Sequence, residues 1–212
     1  MITAVIVCCN QESLLKQHLS TYVKAIETIS GQLVIIDDGS TDKTKDYVTT
    51  HFPDIRYMRT LYEDGYCKAF NKALPLIDTP YILCIDPSIS LSGVSLSNVI
   101  QNMETTQAFM LSFPTYSGKS KHPSYTLKRK GFSCELTSNI PEPHLCFISE
   151  LMCFNAKRLQ AFGGLQTHYF HPVFAWFDLI TSARCQGQHI AYLDIGTSKK
   201  QALDKHLFSY YL

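Results

Sequence analysis

The sequence predicts an α/β protein built on a mostly parallel sheet flanked by helices. Short apolar runs alternate with amphipathic segments four times between residues 2 and 86. Because consecutive strand–helix–strand units place their strands side by side and parallel, this alternation favours a parallel sheet with right-handed crossovers. The chain has 212 residues, of which 45% are hydrophobic and 17% charged. It therefore carries enough apolar side chains for a sizeable core.

Each predicted element follows from local periodicity and from the residues that end it. Apolar residues from Leu14 to Ile26 recur at helical spacing, Pro53 stops the second helix, and Gly163–Gly164 stops a later one. The predicted strands are 2–8, 33–36, 55–60, 81–85, 108–113, 151–154 and 189–193. The predicted helices are 11–29, 42–51, 66–77, 94–105, 156–161 and 174–186. Residues 115–146, rich in Ser, Pro, Lys and Thr, lack periodicity and are predicted to form a long functional or mobile loop.

Composition limits the environment and the partners of the protein. A net charge of +1 creates no field that would attract nucleic acid. No run reaches the roughly 18 apolar residues of a membrane span, and no signal sequence is recognisable, so we expect a cytoplasmic protein, with peripheral contact at the inner face of a membrane left open. The eight cysteines show no Cys-x-x-Cys spacing and lie mostly in apolar runs, which predicts buried thiols in a reducing compartment.

Polar side chains follow three of the predicted strands at the point where each strand ends. Asn10 and Glu12 follow the first strand, Asp37 and Asp38 the second, and Asp86 the fourth. Because the carboxyl ends of parallel strands meet at one edge of the sheet, these groups are expected to converge there, where α/β proteins bind ligands. An unpaired buried charge costs several kcal/mol, so the Asp37–Asp38 pair is interpreted as a site. Asp42, which follows in the same turn, is interpreted as a cap of the next helix.

A glycine-led helix lies between the second and fourth of these strands. Gly65 opens a segment that carries Lys68, Ala69 and Asn71. A small residue permits close approach of a ligand, and an amide can hydrogen-bond it. A lone lysine such as Lys68 is more often a solvated surface charge than a ligand contact.

This order of motifs resembles the family 2 inverting glycosyltransferases of the GT-A fold. The most specific element is Ile36-Asp-Asp-Gly-Ser-Thr-Asp42; the Gly65/Ala69/Asn71 pattern, the strand ending at Asp86 and the segment 152–165 support it. The likeness extends from Ile2 to about Tyr192. It implies one GT-A domain over 1–212, with a nucleotide-sugar-binding half at about 1–90 and an acceptor-side half at about 91–212.

The resemblance also assigns roles to individual residues. Asn10 and its neighbours, including Glu12, would line the nucleotide pocket, and Asp37 or Asp38 would hydrogen-bond the base or ribose. Lys68 and Asn71 would face the diphosphate and sugar. Asp86 matches the first acid of the family's Asp-x-Asp element, which holds Mn²⁺ or Mg²⁺ against the diphosphate; Ser88 stands at the second position. A carboxylate and a hydroxyl can still bind such a cation, because Mg²⁺ keeps waters and uses substrate phosphates.

The acceptor side departs further from the family pattern. Ala175 and Trp176 occupy the positions of the usual acidic pair, so Asp178 is the nearest candidate for the general base that inversion requires. The alternatives to Asp178 are His168 and His171, and Asp178 itself could instead pair with Arg184 or cap a helix. Trp176 is interpreted as core packing, with a sugar platform as the alternative. A tail histidine, His206, is a candidate to reach the metal on position alone.

The resemblance implies a glycosyltransferase that moves a sugar from a nucleotide-diphosphate sugar to a glycan or glycolipid acceptor. Polysaccharide, lipopolysaccharide or other glycoconjugate synthesis is the expected setting. The alternative is a catalytically degenerate GT-A domain that acts as a nucleotide-binding or scaffolding module, as the residues at 88, 175 and 176 would favour. A strand-end phosphatase is disfavoured because Cys9-Asn10-Gln11 replaces the Asp-x-Asp it would need after the first strand.

Overall fold

The computed structural model describes residues 1–117, 120–122, 125–130, 133–137, 147–169, 171–193 and 198–200. The helices are α1 (Glu12–Glu27), α2 (Thr44–His51), α3 (Tyr66–Ala73, continued by a 3₁₀ turn at Leu74–Leu76), α4 (Leu96–Thr106), α5 (Ala156–Ala161) and α6 (Pro172–Cys185). The strands up to residue 112 are β1 (Ile2–Cys8), β2 (Gln32–Asp37), β3 (Arg56–Arg59), β4 (Tyr81–Ile85), β5 (Ile89–Ser90) and β6 (Met110–Ser112). The later strands are β7 (Thr115–Ser117), β8 (Ser120–His122), β9 (Tyr125–Lys130), β10 (Ser133–Thr137), β11 (Phe147–Ile148), β12 (Leu151–Asn155), β13 (Ile190–Tyr192) and β14 (Ser198–Lys200).

The main sheet has seven strands in the order β13-β6-β12-β4-β1-β2-β3. β1 pairs in parallel with both β2 and β4, β2 with β3, and β6 with β13. β12 runs antiparallel to its neighbours β4 and β6. The predicted α/β class with a mostly parallel sheet is therefore confirmed.

Helices cover both faces of this sheet because its central strands are apolar on both sides. In β1, Ile2, Ala4 and Ile6 pack toward α1, whose buried residues include Leu15 and Leu19. The alternate residues Val5 and Val7 pack toward the opposite face, where α3, α5 and α6 contribute a second core. Polar groups are thereby confined to the strand ends.

The prediction of a long loop over 115–146 is wrong for most of its length. β7, β8, β9 and β10 lie within it, and β9 pairs antiparallel with β10 from Thr126–Thr137 to Lys130–Ser133. Residues 138–146 lie outside the described part. Consecutive strands pair in β7–β8 and β9–β10, and β7 also pairs with the distant β14. Residues in these short strands do not alternate regularly between apolar and polar, so the sequence showed no clear period.

Candidate donor and acceptor site

The loops that follow β1 and β2 are tied together by the amide of Asn10. Its Oδ1 accepts hydrogen bonds from the backbone N–H groups of Thr41 (2.7 Å) and Asp42 (3.2 Å), and its own N–H donates to the Ser40 hydroxyl (2.8 Å). Asn10 adopts a left-handed conformation, with φ of 52°, which Asn tolerates better than most residues. The exposed Asn10 thus lies beside the β2 turn, as expected for a residue at this edge of the sheet.

The prediction that Asp42 caps a helix is confirmed, and the structure adds a second helix. Its carboxylate accepts from the N–H of Thr44, the first residue of α2 (2.9 Å), and from that of Glu12, the first residue of α1 (3.1 Å). Partial burial acts to raise the pKa of Asp42, but these hydrogen bonds outweigh it and lower the pKa. The Glu12 carboxylate pairs with Lys16 (2.6 Å) along α1, so it stands at this edge in a surface ion pair.

Asp37 and Asp38 are both fully buried, and each has hydrogen-bond partners within the protein. Asp37 accepts from the Ser40 N–H (2.8 Å) and from the Tyr57 hydroxyl, and its Oδ2 lies 3.7 Å from the Arg59 Nε. Burial and the Asp37 carboxylate raise the pKa of Tyr57.

Asp38 is turned toward the segment between β3 and α3. Its Oδ1 accepts from the Thr60 hydroxyl (3.0 Å) and the Asp64 N–H (2.9 Å), and its Oδ2 accepts from the Gly65 N–H (2.9 Å). The acids cluster at the strand end as predicted, but their described contacts are with protein groups.

Asp86 and Ser88 lie together where β4 ends. The Asp86 Oδ1 accepts from both the N–H (2.9 Å) and the hydroxyl (2.5 Å) of Ser88. The buried Tyr22 hydroxyl of α1 shares its hydrogen bond between the carbonyls of Pro87 (3.2 Å) and Ile89. This contact holds the turn after β4 against α1. Burial, and to a smaller extent the Asp86 charge, raises the pKa of Tyr22.

These two residues fit a hard divalent cation only as a partial ligand set. Both donors are oxygens, as Mg²⁺ and Mn²⁺ prefer, and both are half-buried at the sheet edge. Among the described residues no group of three or more His, Cys, Asp or Glu side chains is arranged to hold a metal. A cation bound by Asp86 and Ser88 would therefore complete its coordination with substrate oxygens and water.

A cavity of about 320 Å³ lies between the start of α3 and residues 167–172. Gly65 and Lys68 line one side, and His168 and Tyr169 line the other. The exposed Lys68 ammonium and the N-terminal end of α3 both favour a negatively charged ligand here. At the floor of the cavity, burial raises the pKa of Cys67 to about 11, so this thiol is uncharged at neutral pH.

The structure gives Asn71 different contacts from those that the resemblance implied. Its Nδ2 donates to the Leu165 carbonyl (2.7 Å), and its Oδ1 accepts from the Leu165 N–H (2.8 Å). A Cβ on Gly164 would lie 2.3 Å from the Asn71 Oδ1, so the glycine permits this contact. Both polar atoms of the amide hold the segment after α5 against α3.

Asp178 lies half-buried in the second turn of α6, and its carboxylate acts electrostatically on Tyr169. Burial first, and then the Asp178 carboxylate, raises the pKa of Tyr169. Since Tyr169 lines the cavity opposite Lys68, this electrostatic effect places the Asp178 carboxylate near the cavity wall. No motif of the sequence marks Tyr169, which is an aromatic residue just before the start of α6.

The other acceptor-side candidates take different positions. Trp176 is fully buried and packs on Phe70 and Phe154, which confirms the core-packing interpretation. The His171 Nδ1 accepts from the Val173 N–H (3.3 Å) and so caps α6, whereas His168 is exposed at the cavity. His206 lies outside the described residues.

Residues 3–178 match the sequence model of glycosyl transferase family 2, so the chain belongs to that family. Its fold is the GT-A fold of these enzymes, because its structural neighbours are GT-A glycosyltransferases.

Among curated proteins, the chain is similar to a teichoic acid poly(glycerol phosphate) polymerase of Staphylococcus epidermidis. The two are 24% identical over 128 residues, which make up 58% of this chain and 17% of the polymerase. The chain thus spans less than a fifth of this relative.

Two solved structures show the same fold at low sequence identity. A mannosyltransferase of Pyrobaculum calidifontis, in complex with GDP-Man and Mn²⁺, superposes with a TM-score of 0.67 at 15% sequence identity. The match covers 96% of this chain and 57% of the mannosyltransferase chain. S. aureus TarS 1–349 in complex with UDP-GlcNAc gives a TM-score of 0.66 at 14% identity, covering 100% of this chain and 61% of TarS 1–349.

Proposed function

We propose that the chain transfers a sugar from a nucleoside-diphosphate sugar to an acceptor hydroxyl, with inversion at the anomeric carbon. The observation that carries the proposal is the cavity between α3 and residues 167–172. It has a cation, Lys68, on one side and Tyr169, whose pKa the nearby Asp178 carboxylate helps to raise, on the other. The reaction needs this pair of functions, because negative charge develops on the leaving diphosphate while the acceptor loses a proton.

The donor would bind along the carboxyl edge of the sheet. The exposed Asn10 and the 39–42 turn form the nucleotide side, and Lys68 with the first N–H groups of α3 faces the diphosphate. Asp86 and Ser88 would hold Mn²⁺ or Mg²⁺, which when bound supplies positive charge to the leaving diphosphate. The complex of a family neighbour with GDP-Man and Mn²⁺ supports this expectation.

The reaction is a single displacement. An acceptor oxygen attacks the anomeric carbon from the face opposite the diphosphate, the bond from that carbon to the phosphate oxygen breaks, and the diphosphate leaves with the bonding electrons. The proton of the acceptor hydroxyl passes to the Asp178 carboxylate. That carboxylate acts on the hydroxyl of Tyr169, which lines the cavity.

The acceptor is proposed to be a glycan or glycolipid of a cell-envelope pathway, as the name of the teichoic acid relative supports. No helix within the described residues has both the length and the apolar character to span a bilayer. Work at the cytoplasmic side, with peripheral membrane contact, remains part of the proposal.

A degenerate, nucleotide-binding GT-A domain is the second candidate. Ala175 and the buried Trp176 provide no acid, and the Asn71 amide is bonded to Leu165. This candidate keeps the donor pocket and predicts nucleotide binding without turnover.

Calorimetry with UDP, GDP, dTDP and CDP, each with and without Mn²⁺, tests the donor site first. Metal-dependent binding of one nucleotide supports the proposal; binding of none contradicts it. The matching nucleotide sugar is then followed for cleavage in wild-type and Asp178→Asn protein. We expect nucleotide affinity to stay the same and turnover to fall at least about 100-fold, the usual contribution of a general base. Asp46→Asn, an exposed carboxylate of α2, is the control. Nucleotide binding without turnover in the wild type favours the degenerate module.

A further inference from the structure

We propose that Asp38 is a positioning residue, which acts on the donor by fixing residues 60–65 and the start of α3 and does not itself contact the donor. This inference rests on the proposed donor site. The carboxylate is fully buried, and its two oxygens accept hydrogen bonds from Thr60, Asp64 and Gly65. Gly65 is the residue from which α3 begins, so the Asp38 carboxylate sets where that helix starts.

The backbone around Gly39 supports the same role through close packing. Gly39 has φ of 75°, and a Cβ placed on it would lie 2.7 Å from the Tyr62 carbonyl carbon and 2.7 Å from the Glu63 nitrogen. The 60–65 segment therefore lies directly against the β2 turn. Additional bonds close the same contact, since the Thr60 N–H donates to the Asp37 carbonyl (2.8 Å) and the Arg59 guanidinium donates to the Ser40 carbonyl.

The two apolar side chains of this segment take no part in the contact. Leu61 is 89% exposed and Tyr62 is 78% exposed, so apolar burial contributes little to holding the segment in place. Its position then depends on the Asp38 hydrogen bonds, including the one from the buried Thr60 hydroxyl, and on the space above Gly39. Because Lys68 lies in the first turn of α3, a shift of Gly65 would move the ammonium group relative to Asp86.

Two kinds of variant separate positioning from direct contact. Asp38→Asn removes the charge and one acceptor, whereas Gly39→Ala leaves the carboxylate intact and displaces the 60–65 segment. Thr60→Val is a milder variant that removes the hydroxyl, which lies within hydrogen-bond distance of both the Asp38 Oδ1 (3.0 Å) and the Tyr62 carbonyl (2.5 Å). The control for Gly39→Ala is Gly187→Ala, because Gly187 has a matching φ of 74° and open space around its Cβ position. The control for Asp38→Asn is Glu63→Gln, an exposed carboxylate of the same segment.

Amide hydrogen exchange of residues 60–66 and nucleotide affinity are measured on every variant. We expect exchange to accelerate about tenfold or more in Asp38→Asn and Gly39→Ala, less in Thr60→Val, and not at all in the controls, because each lost hydrogen bond or clash favours local opening. Nucleotide affinity should fall by about tenfold in the first two variants, with the preference among UDP, GDP, dTDP and CDP unchanged.

Three results would overturn the proposal. One is unchanged exchange in both Asp38→Asn and Gly39→Ala. Another is unchanged nucleotide affinity in the variants whose exchange has accelerated. The third is an altered base preference in Asp38→Asn while Gly39→Ala binds like the wild type, which identifies Asp38 as a direct ligand of the base. If the wild type binds no nucleotide, the proposed donor site fails, whereas the exchange measurement still reports on the 60–65 contact.

Discussion

At the scale of single residues, the acids that identify the family have partners within the protein itself. Asp38 holds the segment before α3, Asp37 bonds Tyr57 and the β2 turn, and Asp42 caps two helices. In this chain the Asp-Asp-Gly-Ser-Thr-Asp motif therefore builds a loop scaffold, in addition to the ligand contact that the family resemblance implies. Substitutions in this motif are expected to change both the stability of the fold and ligand binding. Each therefore needs a control variant that changes only one of these two properties.

His18 provides a pH-dependent test at the same scale. The side chain lies buried in α1 against Tyr22, its Nε2 has no hydrogen-bond partner among the described residues, and burial lowers its pKa. The unfolded chain, with the ordinary His pKa of 6.5, then binds more protons than the folded one, so His18 destabilises the fold progressively as the pH falls below about 6.5.

His18→Phe should raise the free energy of unfolding by about 1 kcal/mol at pH 8, because an unpaired buried nitrogen is removed. The gain should be larger at pH 5.5. Urea titrations at the two pH values measure it, with the exposed His189→Gln as control. An identical effect of His18→Phe at both pH values would show that the imidazole titrates alike in the folded and unfolded chain.

At the scale of elements, the Asn71 amide holds α3 to the segment after α5, and Gly164 allows the two to approach closely. Gly163 and Gly164 have nearly equal φ values of 77° and 79°, but a Cβ on Gly163 meets nothing, whereas one on Gly164 meets Asn71 and Leu74. Backbone strain is thus the same at the two positions and the steric contact differs.

Gly163→Ala should lower the free energy of unfolding by about 1 kcal/mol, the cost of a left-handed Ala. Gly164→Ala should lower it by about 4 kcal/mol, because overpacking and lost Asn71–Leu165 hydrogen bonds add to that strain. Denaturant unfolding of the two variants measures the difference. Equal losses would mean that the Asn71–Leu165 contact can shift without lowering the free energy of unfolding.

Elements that are apolar on both faces were the most predictable from sequence. The strands Ile2–Cys8 and Tyr81–Ile85 have the predicted bounds because each is buried along its whole length. The strands within 115–137 were missed although β7–β8 and β9–β10 pair between consecutive segments, since these short strands lack a clear alternation of apolar and polar residues. The position of the acids at the strand ends was predictable, but their partners were not. Asn71 and Leu165, for example, are 94 positions apart, and no local pattern encodes that contact.

At the scale of the whole molecule, the sheet joins the two predicted halves of the chain. β4, from the first half, pairs along its full length with β12, from Leu151–Ile85 to Asn155–Tyr81. Without the second half, β4 would become an exposed apolar edge, and edges of that kind promote aggregation. The predicted division at about residue 90 therefore separates two roles and not two folding units. We expect neither half to fold independently.

The full chain should consequently unfold in one cooperative transition, with the calorimetric enthalpy equal to the van't Hoff enthalpy. A fragment of residues 1–90 should remain unfolded or aggregate, because it keeps β1 to β4 but loses β12 and the core that α5 and α6 supply. Differential scanning calorimetry of the chain and circular dichroism of the fragment measure both outcomes. Two separated transitions, or a fragment with a cooperative melt of its own, would establish that the nucleotide-sugar half folds by itself and that the pairing of β4 with β12 is dispensable.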